Sequence, residues 1–232
     1  MYLMDKPECK DRINLATWQE ALEFNKILSG ENACICREII INRHMIDVRQ
    51  DTHDLLNAVR PLTETQSCWW GVVVNEAVMN GMRKRRPDGS PFSPEQLRPT
   101  ELQYGVIIRN ALETELQTKF LLNVKDEGEG FDPRLVLNSN HPDQLERVNG
   151  RGLWMMIHAL CVCKVKNFDA RLTYFPMNEN TVGEKFRTSN LAIEIPLKGD
   201  PDELMQAFLD QPKQTREHSW GVNNHSDAKT AT

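Results

Sequence analysis

An apolar strand that runs straight into a glycine-bearing acidic turn, KFLLNVKDEGEGFD over residues 119–132, limits the folds open to this chain more than any other segment. Phe120 to Val124 read as a buried strand. Gly128 and Gly130 then permit positive φ and let a ligand approach the backbone within contact distance. Asp126 ends the strand, where its carboxylate can accept a hydrogen bond. A calcium loop of the D-x-D-x-D-G kind does not fit, because Gly128 follows Glu127 and the distal bidentate Glu is missing.

The flanking segments supply the elements that such a turn needs. Cys68 to Arg85 (CWWGVVVNEAVMNGMRKR) has no proline and reads as one long, mostly buried helix despite its β-branched run. Residues 86–100 hold four of the twelve prolines and read as a loop. Strands are expected near Tyr104 to Leu112 and Lys119 to Lys125, paired as a hairpin. A polar stretch from Pro133 to Asn149 separates the acidic turn from GRGLWMMIHAL, a glycine turn opening a helix. CVCKVKNF, ARLTYF and NLAIEIPL predict three more strands.

Upstream, residues 12–29 carry Leu15, Trp18, Leu22 and Ile27 at near-helical spacing with Gly30 as a stop, which predicts an amphipathic helix outside the main fold. Arg37 to Val48 reads as a strand, and Thr52 to Leu62 as a helix closed near Pro61. Near the C-terminus Asp200 caps a helix with Pro201 in its first turn, and the last twenty residues read as a disordered tail. The organisation expected is a helical extension over 1–36, a core domain over 37–197, and a helix with tail over 198–232. The fold class expected is an α/β (α+β) two-layer sandwich with helices on one face of a mixed sheet.

Charge and composition exclude several function classes. The net charge of −5 gives no basic surplus for a nucleic-acid backbone, and the cationic run Arg83 to Arg86 is local. No apolar run reaches the length of a membrane span, and Met1 to Asp11 is too charged for a signal peptide, so the expected compartment is the cytoplasm. The pairs Cys34/Cys36 and Cys161/Cys163 read as reduced thiols on strand faces and not as a zinc knuckle.

Three elements could share one ligand. Glu76 and Asn80, four residues apart, project from one helix face. An Asn oxygen is a hard neutral ligand for a magnesium ion otherwise held by phosphates, and a carboxylate one turn away could take a hydroxyl proton. Asp126 could read the exocyclic amine of adenine. Gly150 and Gly152 flank Arg151 at a helix start, where free amides and the helix dipole favour an anionic phosphate. Arg151 either forks onto phosphate or faces solvent.

In this order, VNEAVMNG, DEGEGFD and GRGLWMM resemble the nucleotide-binding boxes of the GHKL ATPase superfamily, and the GFD and GRGL spellings most resemble its anti-sigma-factor serine/threonine kinases. The resemblance implies a Bergerat-type ATP-binding fold, ATP and Mg2+ as cofactors, Glu76 as general base, Asn80 as metal ligand and Asp126 as adenine reader. Gly128, Gly130, Phe131, Gly150, Arg151, Gly152 and Leu153 complete the nucleotide-binding set, with Lys84 meeting a phosphate or facing water. Lys84 stands where the family often has His, and Gly81 replaces its usual Ala. The implied partners are a STAS-domain anti-anti-sigma protein and a sigma factor, and the family admits a homodimer.

The function expected is therefore phosphorylation of a STAS-type antagonist in a partner-switching circuit. The alternative is a non-catalytic nucleotide-binding module that holds a signalling partner. Retention of Glu76 favours the kinase, since a pure binder needs only Asn80 and the glycines. A histidine-kinase reading through His53 leaves no room before Glu76 for a second dimerising helix and a strand.

Overall fold

The computed structural model describes residues 12–29, 34–41, 46–82, 100–111, 115–126, 130–137, 151–162 and 168–211. In chain order the elements are β1 (Ile13–Leu15), α1 (Trp18–Ser29), β2 (Cys34–Ile41), α2 (Ile46–Val59), α3 (Glu64–Met82), β3 (Thr100–Ala111) and β4 (Glu115–Asp126). Then follow the single turn α4 (Arg134–Leu137), α5 (Arg151–Ile157) running into a π-helical turn (His158–Val162), β5 (Arg171–Pro176), β6 (Thr188–Pro196) and α6 (Pro201–Leu209). Among the described residues no helix is long and apolar enough to cross a membrane.

The strands form one mixed sheet in the order β1-β5-β6-β4-β3-β2. The β1–β5 pair is parallel, and every other pair is antiparallel. Alternation along the strands divides the sheet into two faces. Leu102, Tyr104, Val106, Phe120, Leu122, Val124, Ile193 and Ile195 face the main core, where α2, α3, α5 and α6 pack. Trp70, fully buried on α3, meets Phe120 edge-on with ring centroids 5.9 Å apart. Tyr104, on β3 beside the edge strand β2, donates its hydroxyl proton to Asp51 of α2 and so ties that helix to β3.

Helix starts follow local chemistry. Thr17 and Glu20 form a reciprocal capping box on α1: the Glu20 amide donates to Thr17 Oγ1 at 3.2 Å, and the Thr17 amide to Glu20 Oε2 at 2.7 Å. Thr63 and Gln66 repeat the device, with amide bonds of 3.1 and 3.2 Å, so α3 starts at Glu64, a turn before the expected Cys68. Asp200 accepts from the amides of Asp202 and Glu203 and caps α6 as expected. The expected hairpin is present and longer than anticipated, with Thr100 opposite Asp126 and Ala111 opposite Glu115.

Several expectations are corrected. Residues 13–29 are not a helix outside the fold: β1 adds an edge strand beside β5, and α1 packs on the sheet's rear face. Helices therefore cover both faces. The rear cluster joins Ala16, Ala21 and Phe24 to Ile107, Leu121, Phe175 and Ala192, with Phe24 stacked on Phe175 at 4.5 Å. The strand expected over 37–48 lies at Cys34–Ile41, because pairing with β3 ends at Ile41, and Ile46 already belongs to α2. Cys161 and Val162, expected in a strand, continue the α5 helix as a π turn, since burial of Ala159 and Leu160 overrides β-branched propensity. Cys34 and Cys36 do lie on a strand, and Cys68 is exposed on α3.

The polar stretch expected from Pro133 starts with α4, and residues 138–149 of it lie outside the described residues. So do Arg83 to Arg86, almost all of the proline-rich loop and the C-terminal tail. The helix placed with that tail is part of the main core through Leu204 and Phe208.

Phe24 is 1 % exposed and Leu22, on the same helix, is 38 % exposed. Phe24→Ala should cost about 3–5 kcal/mol in urea unfolding through the cavity it leaves. Leu22→Ala should stay within about 0.5 kcal/mol of wild type in the same measurement.

Candidate functional site

The rotation of α3 about its axis is set by Val73, Val74 and Val78, all fully buried against the sheet. That leaves Glu76 and Asn80 on a flank of the helix, with Asn80 exposed on its last turns. Beneath this end β4 terminates at Asp126, beside β3 on one side and β6 on the other. The result is a small, open cleft with an internal volume of about 30 Å³. Ala77, Asn80 and Gly81 line it from α3, Val124 and Asp126 from β4, and Leu153 from α5. Tyr174 and the Thr188–Leu191 stretch of β5 and β6 close the remaining side together with Phe131.

The acidic turn is pinned to this wall by its backbone. Gly130 has φ of +67°, and a Cβ there would lie 2.3 Å from Met177 Sδ and 3.0 Å from the Thr188 carbonyl oxygen. Glycine is thus required both by conformation and by space. One residue on, the Phe131 and Thr188 amides each donate to the other's carbonyl at 3.0 Å, returning the chain to the start of β6. The Phe131 ring is left at the cleft mouth, edge-on to Tyr174 at 6.3 Å.

Asp132 and Arg134 then lock the turn. The Arg134 guanidinium forks onto the Asp132 carboxylate with contacts of 2.7 to 3.0 Å and donates onward to the carbonyls of Gly183 and Glu184 at 2.9 and 3.0 Å. The Arg134 side-chain hydrogen bonds hold the Asp132 carboxyl below the usual carboxylate range, and Asp132 in turn raises Arg134.

Glu76 does not line the cleft; it sits on the α5 side of α3. A Cβ on Gly152 would fall 1.7 Å from Glu76 Oε2 and 2.6 Å from its carboxyl carbon. The missing side chain of Gly152 is therefore the seat of the Glu76 carboxylate. Residues from VNEAVMNG, DEGEGFD and GRGLWMM, dispersed from 74 to 156, meet around one helix flank and one strand end. Lys84, Gly128 and Gly150 lie outside the described residues, as does the side chain of Arg151.

Among the described residues there is no cluster of three or more His, Cys, Asp or Glu side chains that could hold a metal. Asn80, exposed at the cleft, matches a hard cation that takes most of its ligands from water and a bound anion. Sequence reasoning missed Tyr174, Thr188 and Asn190, single positions with no local motif around them. The Asp132–Arg134 lock had a signal, an Asp two residues before an Arg across Pro133.

The steric relation between residues 76 and 152 is directly measurable. Gly152→Ala should destabilise the protein by about 1–3 kcal/mol, because the new methyl must evict a carboxylate. In Glu76→Ala/Gly152→Ala much of that loss should be recovered, giving a coupling above about 0.5 kcal/mol in a double-mutant cycle. Comparisons of this chain with protein-family models, with curated proteins and with solved structures found no match, so its own residues carry what can be said of function.

Proposed function

We propose that this chain is an ATP- and Mg2+-dependent protein serine/threonine kinase of the anti-sigma-factor type, built on a Bergerat-type nucleotide fold. Its substrate would be a STAS-type antagonist in a partner-switching circuit in the cytoplasm. One observation carries the reading: the Glu76 carboxylate is seated on Gly152 while Asn80, one helical turn away, and Asp126 line a single cleft.

The chemistry follows from what each residue can do. Asp126, at the sheet end of the cleft, accepts a hydrogen bond from the exocyclic amine of adenine, with Val124, Leu153 and Tyr174 offering apolar surface to the ring. Asn80 is the residue that would hold Mg2+, and the ion when bound supplies neutralisation of phosphate charge. The first amides of α5, which have no partner within the helix, are donors for phosphate oxygens. Glu76 orients the incoming serine or threonine hydroxyl and takes its proton onto a carboxylate oxygen. Seating on Gly152 limits the rotamers open to that carboxylate, and such positioning is most of what phosphoryl transfer asks of a protein.

Isothermal calorimetry of ATP with and without Mg2+, followed by labelled phosphate transfer to candidate STAS-domain proteins, tests the reading. Asn80→Ala should abolish the Mg2+-dependent part of the affinity, and undiminished binding would sink the assignment. Glu76→Gln should bind ATP as wild type does and lose transfer by at least about 100-fold. Tight wild-type binding with no transfer to any candidate would favour the non-catalytic binding module.

A further inference from the structure

The last turn of α3 meets the strand pair that carries Asp126 at Gly81. A Cβ built there would lie 3.0 Å from Thr100 Cγ2, 3.1 Å from Thr100 Oγ1 and 3.4 Å from Asp126 Cβ. Few real Cβ atoms stand as close to a neighbour as the two shorter distances, so helix and strand are packed shut with no space for one more methyl. Thr100 is fully buried and does not line the cleft, which makes this contact a dry seam beside it. Asn80 and Gly81, by contrast, both form cleft wall.

Which side of the seam would yield to a larger residue depends on how each side is held. Thr100 stands in β3 between Ile41 of β2 and Asp126 of β4, paired on both edges. Its side chain has no open space to swing into, because the whole residue is shut off from solvent. The helix turn is held on its inner side only: Asn80, next to Gly81, is exposed. A methyl at 81 would therefore displace the end of α3 outward, and Asn80 with it, by a few tenths of an ångström.

We propose that Gly81 is a positioning residue: its missing side chain sets how closely the Asn80 end of α3 approaches Asp126, and with it the separation between the metal-binding and base-reading ends of the cleft. This rests on the nucleotide reading given above. Magnesium demands near-ideal octahedral geometry at short bonds, so its binding registers small displacements of a ligand that a flexible contact would absorb. The buried valines of α3 fix its rotation, and Gly81 fixes its approach.

Thr100 supplies the control. Its hydroxyl has no hydrogen-bond partner among the described residues, so Thr100→Val removes the oxygen and keeps the branched shape. Thr100→Ala removes both of the atoms nearest to the built Cβ.

The test measures, on the full chain, the factor by which Mg2+ raises ATP affinity, from calorimetry in Mg2+ and in chelator. Gly81→Ala should cut that factor roughly three- to tenfold. Gly81→Ala/Thr100→Ala should restore most of it, whereas Gly81→Ala/Thr100→Val should stay as low as Gly81→Ala. Thr100→Val by itself should match wild type. A wild-type factor in Gly81→Ala, even with a lowered thermal midpoint, would reduce the glycine to a packing role and overturn the assignment. Failure of Thr100→Ala to rescue, or rescue by Thr100→Val, overturns it as well, and each of these leaves the nucleotide reading standing. A wild-type chain that does not bind ATP, or gains nothing from Mg2+, overturns both.

Discussion

The burial of α3 against the sheet is the constraint on which the rest depends. Trp70, Val73, Val74 and Val78 are removed from water entirely, each at about 1.5–3 kcal/mol of hydrophobic stabilisation, in a protein whose net stability is expected near 5–15 kcal/mol. Turning the helix by one residue would expose part of that stripe, so the helix has one rotation. That rotation sends Ala77 and Asn80 into the cleft and Glu76 toward α5. The functional flank is positioned by residues that take no part in it, and its geometry is as rigid as the core behind it.

The sheet's rear face is built on a different principle. Alongside the small Phe24–Phe175 cluster it holds polar groups: Glu194, 1 % exposed, lies 3.8 Å from Lys119, and Asn123 donates to Gln103 at 2.9 Å. Buried ionic and amide groups add little net stability, since desolvation offsets most of what they gain. What they add is register, because a slip of one residue would turn each of them onto the apolar front face. The front face thus supplies most of the free energy and the rear face fixes the alignment of β3, β4 and β6, including the strand end that carries Asp126 into the cleft.

Much of this was legible in the sequence wherever a pattern is local. The hairpin, α3, the α5 start and the α6 cap each follow from periodicity or from a cap within a few residues. The two capping boxes, T-x-x-E at Thr17 and T-x-x-Q at Thr63, were equally local and fix helix starts that periodicity alone placed late or outside the fold. Non-local features were not legible. Three residues of β1 contain no signal that they would pair with β5, some 160 positions on, and the π turn arises from packing on α3 against the local β preference. At the site, Glu76, Asn80, Asp126 and Gly152 announce themselves by spacing, whereas Tyr174, Thr188 and Asn190 matter only because strands far apart in sequence end at one place.

The Asp132–Arg134 lock grips the 183–185 turn through main-chain oxygens alone. A clamp that reads carbonyls is indifferent to side-chain size, so the residue at 184 can vary in bulk, whereas its negative charge adds to the field that Asp132 sets up around Arg134. Gly183 is held by its φ of +60° and not by the clamp. Asp132 and Arg134 have no such freedom: each is the other's main partner, and an isolated change leaves a charge without its counterpart beside the cleft. The family history expected of this region is therefore uneven, with a turn whose spelling wanders and a pair two residues apart that is kept or lost as a unit.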